Sequence, residues 1–280
     1  ALYHALLAPN VFSDVDGRYR GMDDLIHTAK DFEMYTVFSL WDTFRAEHPL
    51  LTILDTKRSL HFVKSLLAKF DEASVLPVWE FAANETWCMI GCHSVPVILD
   101  AYVKGVRGFD SEHALKAMQQ SASLNHFGLE GYRQNGYIPA ELASESVSRT
   151  LEYAYDDWCI AEFARRVGKE KEYREFSERA QFYRNLFDPS SGLMRPKENG
   201  SWVEPFRPTS VTQHYTEANA WQYSFFVPHD IQGLIGLHGG RESFLKKLDS
   251  LFEGGSLLTG RDQPDITGLI GQYAQGNEPS

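Results

Sequence analysis

The sequence predicts an all-α fold in which helical hairpins surround one axis, an irregular α/α toroid. Apolar residues recur at helical spacing along most of the chain, which is the main sequence signal for amphipathic helices. The predicted helices come in pairs, which begin near Phe38, Thr86, Ser146 and Ala218. Because neither a strict period nor a repeated motif marks these pairs, a regular solenoid is disfavoured. Long loops between the pairs are expected to form a pocket at one end.

The first helices follow from apolar spacing and from the residues that start them. Leu60 to Phe70 has one apolar face, and a mostly apolar stretch runs from Trp87 to Val103. Ser111 is predicted to cap the next helix, which runs through Leu124, since serine is a favoured N-cap residue.

The later helices are ended or divided by glycine and by turn-forming residues. They are predicted over Val147 to Val167, about Glu170 to Phe187, Asp230 to Leu237 and Arg241 to Phe252. Strand signals are weak, and two stretches of loop are expected to form short hairpins, Gly136–Ile138 and Gly200–Val203.

The composition favours a soluble enzyme over a nucleic-acid-binding or membrane-spanning protein. The 280 residues carry a formal net charge of −11, whereas phosphate contacts need an excess of Lys and Arg. No apolar run reaches the ~18 residues that a membrane span needs. Cys88 and Cys92 lie near His93, but structural zinc usually has four ligands, so we interpret these cysteines as buried small hydrophobes.

The two ends of the sequence predict a fragment of a longer protein. The chain starts at Ala1 without a methionine or a signal-peptide pattern. It stops at Gly276–Ser280, which closes no predicted element.

A first candidate site segment is Phe38–Arg45, which contains Trp41, Asp42 and Arg45. An aromatic ring beside charged groups is typical of sugar binding, because the ring covers an apolar sugar face while the charges bind hydroxyls. The alternative is a helix start with a capping aspartate and a core tryptophan.

A second candidate segment, Glu141–Trp158, opens a helix and contains Glu152 and Asp156. Apolar neighbours of Glu152 favour a protonated carboxyl, as a general acid requires. The alternative is a solvated acidic helix start, which the helix dipole favours. The aromatic residues of this segment are too apolar for a face left in water.

The third and fourth candidate segments contain oxygen ligands and a lone acid. Glu217, Asn219 and Gln222 offer oxygen atoms of the kind that Ca²⁺ prefers, although Glu217 and Asn219 could equally cap the next helix. Asp265 lies in a glycine-rich loop and could hold a nucleophilic water, although a turn is the commoner role. No phosphate-binding loop, Gly-x-Ser-x-Gly elbow or His-Glu-x-x-His motif is present.

At these segments the sequence resembles glycoside hydrolase family 92. The stretches that carry the resemblance span nearly the whole chain in order: Tyr3–Asn10, Asp14–Gly17, Ser39–Arg45, Tyr137–Trp158, Thr216–Tyr223, Val227–Asp230 and Asp265–Ser280. The most specific of them are Thr216–Tyr223 and the terminal Gly-Asn-Glu-Pro-Ser motif.

The resemblance implies an exo-acting, inverting, calcium-dependent α-mannosidase, with α-1,2-linked mannose as the expected substrate. It further implies that residues 1–280 form most of an (α/α)6 catalytic domain, with an N-terminal β-sandwich domain and the last helices absent from this chain. The expected partner is a mannose-containing glycan, as in N-glycan degradation. Export to the periplasm, cell surface or medium is expected from that substrate.

The resemblance also assigns roles to individual residues. Glu152 is implied to be the general acid and Asp265 the general base. The implied calcium ligands are Glu217, Asn219 and Gln222. The residues implied to bind the sugar are Trp41, Asp42, Arg45, Trp221, Asn277 and Glu278.

Three alternatives stay open at this stage. One is a different α/α-toroid glycosidase that needs no calcium. Another is a non-catalytic sugar-binding module with Trp41 and Trp221 as platforms. The third is a truncated remnant that has lost its activity.

Overall fold

The structure, a computed structural model, describes residues 2–277 and separates into two compact units. Unit 1 consists of residues up to 124 together with 159–176, and unit 2 consists of residues 125–158 and those from 177 onward. The chain passes from one unit to the other at three positions, and two of them, 158/159 and 176/177, fall inside helices.

The helices predicted around residues 60–70, 147–167, 230–237 and 241–252 form, whereas the stretch predicted from Trp87 to Val103 is helical only from Ser94. Helices provide most of the regular structure. They are α1 (Leu2–Ala5), α2 (Leu40–Thr43), α3 (Glu47–Leu54), α4 (Thr56–Ala73), α5 (Ser94–Val103), α6 (Ser111–Ser121), α7 (Leu129–Asn135), α8 (Ser146–Arg166), α9 (Glu170–Arg179), α10 (Ala220–Tyr223), α11 (Ile231–Leu237) and α12 (Arg241–Glu253). A 3₁₀ helix covers Phe182–Leu186. No helix among the described residues is long and apolar enough to cross a membrane.

The prediction of an all-α toroid is wrong. Helices make up 44% of the chain and strands 12%, and the strands form several small sheets. The strands lie in the long loops between helices, where backbone N–H and C=O groups that no helix uses still need partners. Short pairs of two or three residues satisfy that need, yet they are too short to leave an alternating apolar pattern in the sequence.

The strands pair mostly as local antiparallel hairpins. The pairs are β1 (Asn10–Val11) with β4 (Tyr35–Thr36), β2 (Arg18–Arg20) with β3 (Ile26–Thr28), β5 (Phe38–Ser39) with β6 (Trp79–Phe81), β6 with β7 (Asn84–Glu85), β8 (Phe187–Asp188) with β9 (Leu193–Met194), β10 (Lys197–Glu198) with β11 (Ser201–Trp202), and β14 (Leu269–Ile270) with β15 (Tyr273–Ala274). One pair is parallel, β12 (Ser210–Val211) with β13 (Thr259–Gly260).

Two of the local sequence predictions have opposite outcomes. The hairpin predicted at Gly200–Val203 forms as β10–β11, and its turn residues Asn199 and Gly200 both have positive φ, as a tight hairpin turn requires. The stretch Gly136–Ile138 is not a strand. Gly136 instead ends α7 in the left-handed conformation, with a φ of 72°, the usual role of glycine at a helix end.

The helix caps show where the sequence analysis was one residue off. Asp110, and not Ser111, is the N-cap of α6, and its carboxylate accepts hydrogen bonds from the backbone N–H groups of Glu112 and His113. The predicted helix from Glu170 to Phe187 is split into α9 and the 3₁₀ helix.

The core of unit 1 contains a cluster of rings and one buried ion pair. Phe62 of α4 contacts Tyr35 and Phe38 edge-on, at centroid distances of 4.7 and 5.8 Å. Lys69 and Glu80 are both fully buried, with 3.0 Å between Nζ and Oε1. Glu80 also accepts hydrogen bonds from the Thr36 hydroxyl and the Ala83 N–H, so its charge is compensated.

Candidate active site

Glu152 lies near the start of α8 in unit 2, and its side chain is fully buried. The segment that the sequence analysis selected is therefore a core helix and not a solvated acidic helix start. The Tyr223 hydroxyl, which is also fully buried, donates a hydrogen bond of 3.0 Å to Oε1 of Glu152. A carboxyl removed from water in this way is suited to holding a proton.

The next turn of α8 is anchored by a second buried carboxyl, Asp157. Arg179 binds it in a bidentate manner, with both nitrogen–oxygen distances at 2.9 Å, and the Tyr132 hydroxyl donates to it at 2.9 Å. Burial raises the pKa of Asp157 to about 6, although Arg179 opposes the shift. This network fixes the helix that carries Glu152.

The one-turn helix α10 begins with a capping box. The Asn219 side-chain oxygen accepts from the N–H groups of Trp221 and Gln222, and the Gln222 side-chain oxygen accepts from the Asn219 N–H. Two backbone donors are satisfied reciprocally, so this turn is stable despite its length. The capping interpretation of Asn219 thus describes the structure.

The third and fourth candidate segments are joined by a buried glutamine. Asn219 Nδ2 donates to the Gln272 side-chain oxygen at 2.8 Å, and Gln222 Nε2 donates to the Gln272 carbonyl at 3.0 Å. Asn277 Nδ2 lies 3.2 Å from both the carbonyl and Oε2 of Glu217. The loop that contains Asp265 and the segment that contains Glu217 are thereby held together within unit 2.

Asp265 lies in this loop on an exposed surface. Its carboxylate accepts a hydrogen bond of 2.5 Å from Gln263 Nε2. The adjacent Ile266 is buried against Val211 and Ala274. Because Ile266 is buried in the core of the unit, the loop is anchored while Asp265 stays in contact with solvent.

Calcium binding by the three residues predicted as ligands fits this structure only in part. The Asn219 oxygen accepts two hydrogen bonds and the Gln222 oxygen accepts one, and an amide oxygen has only two lone pairs. Glu217 carries a carboxylate. Its φ of +46° is rarely adopted by residues with a side chain, and residues with such backbone angles are often found at functional sites. Within residues 2–277 no three His, Cys, Asp or Glu side chains cluster to hold a metal.

Trp221 is half-buried, and the Lys247 ammonium lies 4.2 Å from the centre of its ring. Lys247 also donates to the Ser191 carbonyl at 2.7 Å, so the lysine is fixed over one face of the indole. A sugar could stack only on the other face.

The predicted sugar-binding residues of unit 1 lie on α2 and, for Arg45, two residues after its end. Trp41 is buried, and the Arg45 guanidinium lies 5.2 Å from its ring centre while donating to the Trp41 carbonyl at 3.1 Å. Asp42 accepts from the Ser39 hydroxyl. Glu278, the last predicted sugar-binding residue, lies outside the described residues.

A cavity of about 370 Å³ in unit 2 is lined by residues that the sequence analysis did not select. Its polar wall includes Arg207, Gln213 and His214, and Phe206 supplies an aromatic wall. Burial lowers the pKa of His214, so the cavity presents a neutral imidazole at neutral pH. The only sequence signal for it is the run Val203–Pro208, in which a glutamate precedes an aromatic residue and an arginine that lie between two prolines.

Comparisons with known proteins identify the family. The sequence model of the glycosyl hydrolase family 92 catalytic domain matches residues 1–280. A family GH92 α-mannosidase from Bacteroides thetaiotaomicron is 46% identical, with a TM-score of 0.93 over 99% of this chain and 37% of its own. A further structure of that α-mannosidase contains mannoimidazole (44% identity, TM-score 0.92, 99% of this chain and 38% of that one).

Two more relatives extend the comparison. An inverting family GH92 mannosidase from the same species is 35% identical, with a TM-score of 0.86 over 99% of this chain and 40% of its own. An uncharacterized secreted glycosidase of Arthroderma benhamiae is 29% identical over an alignment of 250 residues that covers 75% of this chain and 32% of that protein. The chain thus spans less than half the length of these relatives.

Proposed function

Because this chain belongs to glycosyl hydrolase family 92, as its resemblance predicted, we propose that the protein containing it removes terminal α-linked mannose from glycans. The proposal includes exo action, inversion of the anomeric carbon and a preference for the α-1,2 linkage. The resemblance to α-mannosidases, one of them called inverting, supports the substrate class and the stereochemistry.

The observation that carries the proposal is the environment of Glu152. It is fully buried on α8 and accepts a hydrogen bond from a buried tyrosine. A general acid must be protonated at the pH at which the enzyme works, and removal from water favours the protonated carboxyl. No nucleophile on the protein is needed for this reaction.

The proposed reaction is a single displacement. Glu152 gives its proton to the leaving oxygen as the bond from the anomeric carbon to that oxygen breaks. Water forms the new bond to the anomeric carbon from the opposite face, and Asp265 accepts its proton. The two carboxyls of inverting glycosidases are ~6.5–9.5 Å apart, which leaves room for that water.

Sugar recognition is proposed for three groups of residues. In unit 1, Asp42 and Arg45 are proposed to bind hydroxyls of the terminal mannose beside Trp41. In unit 2, the cavity beside Phe206 and Arg207 is proposed to bind the part of the glycan that leaves, because it combines a ring with hydrogen-bonding groups. Trp221 is proposed to offer the ring face opposite Lys247.

Calcium dependence is proposed with Glu217 as its central ligand. Asn277, which contacts Glu217, is proposed to contribute its amide oxygen, with Glu278 as a further candidate. Asn219 and Gln222 are proposed to act through the capping box that holds the segment. When bound, calcium would supply a positive charge to the oxygen atoms of the sugar.

Export is proposed because the substrate is a glycan and because one relative is called a secreted glycosidase.

The deciding experiment is hydrolysis of an α-1,2-linked mannobiose by the full-length protein, with and without EDTA. Mannose release that EDTA abolishes, with the β-anomer as the first product by NMR, supports mannoside hydrolysis, inversion and calcium dependence. No release from any α-linked mannobiose, together with measurable mannose binding, would establish the non-catalytic module instead.

A further inference from the structure

The geometry around Glu152 assigns a positioning role to Tyr223, whose hydroxyl bonds to one carboxyl oxygen and so keeps the transferable proton on the other. This inference rests on the proposed function, because it takes Glu152 as the general acid. It adds a residue that the sequence analysis quoted within a motif but gave no role.

The hydrogen bond between Tyr223 and Glu152 has a defined direction. The Tyr223 hydroxyl donates to Oε1 of Glu152 at 3.0 Å. A carboxyl oxygen that accepts a hydrogen bond well is one without a proton, since the protonated oxygen is a donor. With Oε1 accepting from the phenol, a proton on Glu152 is held by Oε2.

Burial makes this preference matter. Both side chains are fully buried, where hydrogen bonds are electrostatically stronger than in water. Water therefore does not compete for Oε1, and the phenol restricts rotation of the carboxyl group. A general acid whose proton is on a fixed oxygen needs no reorientation before it transfers that proton.

The position of Tyr223 is itself well fixed. It lies in the last turn of α10, whose start is held by the Asn219–Gln222 capping box. The side chains of Asn219 and Gln222 are bound in turn to Gln272. The same turn that was predicted to bind calcium therefore orients a donor toward the acid.

Two effects follow if Tyr223 is removed. The proton of Glu152 is no longer restricted to Oε2, so protonation of a poor leaving group slows. In addition, the loss of a donor to the carboxylate favours the protonated carboxyl, so the basic limb of the pH profile moves to higher pH.

The test compares Tyr223→Phe with Tyr183→Phe in the full-length protein. Tyr183 is a matched control, because it is fully buried in the same unit and its hydroxyl donates to a carboxylate, that of Asp230, at 2.7 Å. Each variant is assayed on α-linked mannobiose and on α-mannosyl fluoride, whose leaving group needs far less protonation.

We expect Tyr223→Phe to lower kcat on mannobiose by roughly 10–100-fold, the effect of one hydrogen bond to an ionisable group. Its activity on the fluoride should stay within about threefold, and the basic limb should rise by about one pH unit. Tyr183→Phe should change neither the ratio of the activities on the two substrates nor the basic limb of the pH profile. An equal loss on both substrates with an unmoved limb would reduce Tyr223 to a packing role and overturn the inference.

If the Tyr223→Phe protein does not fold, a second substitution tests the same hydrogen bond. Tyr223 replaced by 3-fluorotyrosine keeps the shape and makes the phenol a stronger donor, so the basic limb should move to lower pH. An unmoved limb overturns the inference. Glu152→Gln separates the two levels: full mannobiose activity there refutes the acid assignment itself, whereas loss there with unaltered Tyr223→Phe kinetics refutes only the role of Tyr223.

Discussion

The two carboxyls proposed for catalysis occupy opposite environments in the same unit. Glu152 lies within a 21-residue helix, is fully buried and is bound by a phenol. Asp265 lies in an exposed loop, where its partner is the Gln263 amide. The side chain of Glu152 is packed in the core, whereas the loop that carries Asp265 is anchored through its buried neighbour Ile266.

This difference matches the two tasks of an inverting hydrolase. The acid must retain a proton, which removal from water favours, while the base must be ionised and in contact with the water that it activates. Unit 2 therefore contains one buried carboxyl and one solvent-exposed carboxyl that suit these two tasks.

The largest loss of activity is expected when the buried carboxyl, Glu152, is replaced. Glu152→Gln should lower kcat/KM on mannobiose by ~10²–10⁴-fold, the usual contribution of general acid catalysis. Glu162→Gln is the control, because Glu162 lies on the same helix but binds Arg165 and Arg166 at a more exposed position. Similar rates for both variants would contradict the role of Glu152.

The role of the exposed carboxyl, Asp265, is tested by Asp265→Asn. We expect a loss in the same ~10²–10⁴-fold range, and equally large on mannosyl fluoride, since water must still be activated whatever the leaving group. Asp262→Asn, an exposed aspartate in the same loop, should keep its activity. A loss confined to mannobiose would mean that Asp265 does not act as the base.

The support beneath the buried acid is tested by Arg179→Leu. This change leaves Asp157 buried without its bidentate partner, so the free energy of unfolding should fall by ~3–5 kcal/mol. The control Arg174→Leu breaks an exposed pair with Glu170 on the same helix and should cost at most ~1 kcal/mol. Equal unfolding midpoints in urea would show that the Asp157 network does not anchor α8.

Calcium binding is tested by heat stability, which does not depend on turnover. If Glu217 binds the ion, saturating Ca²⁺ should raise the free energy of unfolding by ~2.7 kcal/mol at a hundredfold excess over Kd. Glu217→Gln should abolish that gain in calorimetry, whereas Glu198→Gln, at an exposed hairpin position, should retain it. A gain of the same size in Glu217→Gln would move the site elsewhere.

A third carboxyl, Glu47 in unit 1, is less buried than Glu152 and less exposed than Asp265. Its replacement should give the smallest effect of those predicted here. Burial raises its pKa from 4.5 to about 7, so the folded state binds more protons than the unfolded state between these values. Stability from this group is therefore fully present below pH 4.5 and is lost as the pH rises toward 7. Glu47→Gln should reduce the pH dependence of the unfolding midpoint between pH 4.5 and 7. The same pH dependence in the variant and the unaltered protein would contradict the raised pKa of Glu47.

The sequence predicted the helices well because their apolar faces are long enough to show a period. It missed the small sheets, since strands of two or three residues leave no alternation and form only to satisfy loop backbone. The predicted hairpin at Gly200 is confirmed because a turn signal is local. The predicted N-cap of α6 was wrong by one residue, because the carboxylate of Asp110, and not the hydroxyl of Ser111, accepts hydrogen bonds from two backbone N–H groups.

The sequence by itself determined the family, the segments that carry chemistry and the identities of Glu152 and Asp265 as candidates, because these depend on residue type and order. Only the tertiary structure decided which oxygens are already engaged. It placed Tyr223 on Glu152, gave Asn219 and Gln222 to a helix cap and covered one face of Trp221 with Lys247. Such pairings join residues 71 positions apart in one case, and no local pattern encodes them, since hydrogen bonds over that separation depend on how the whole unit packs.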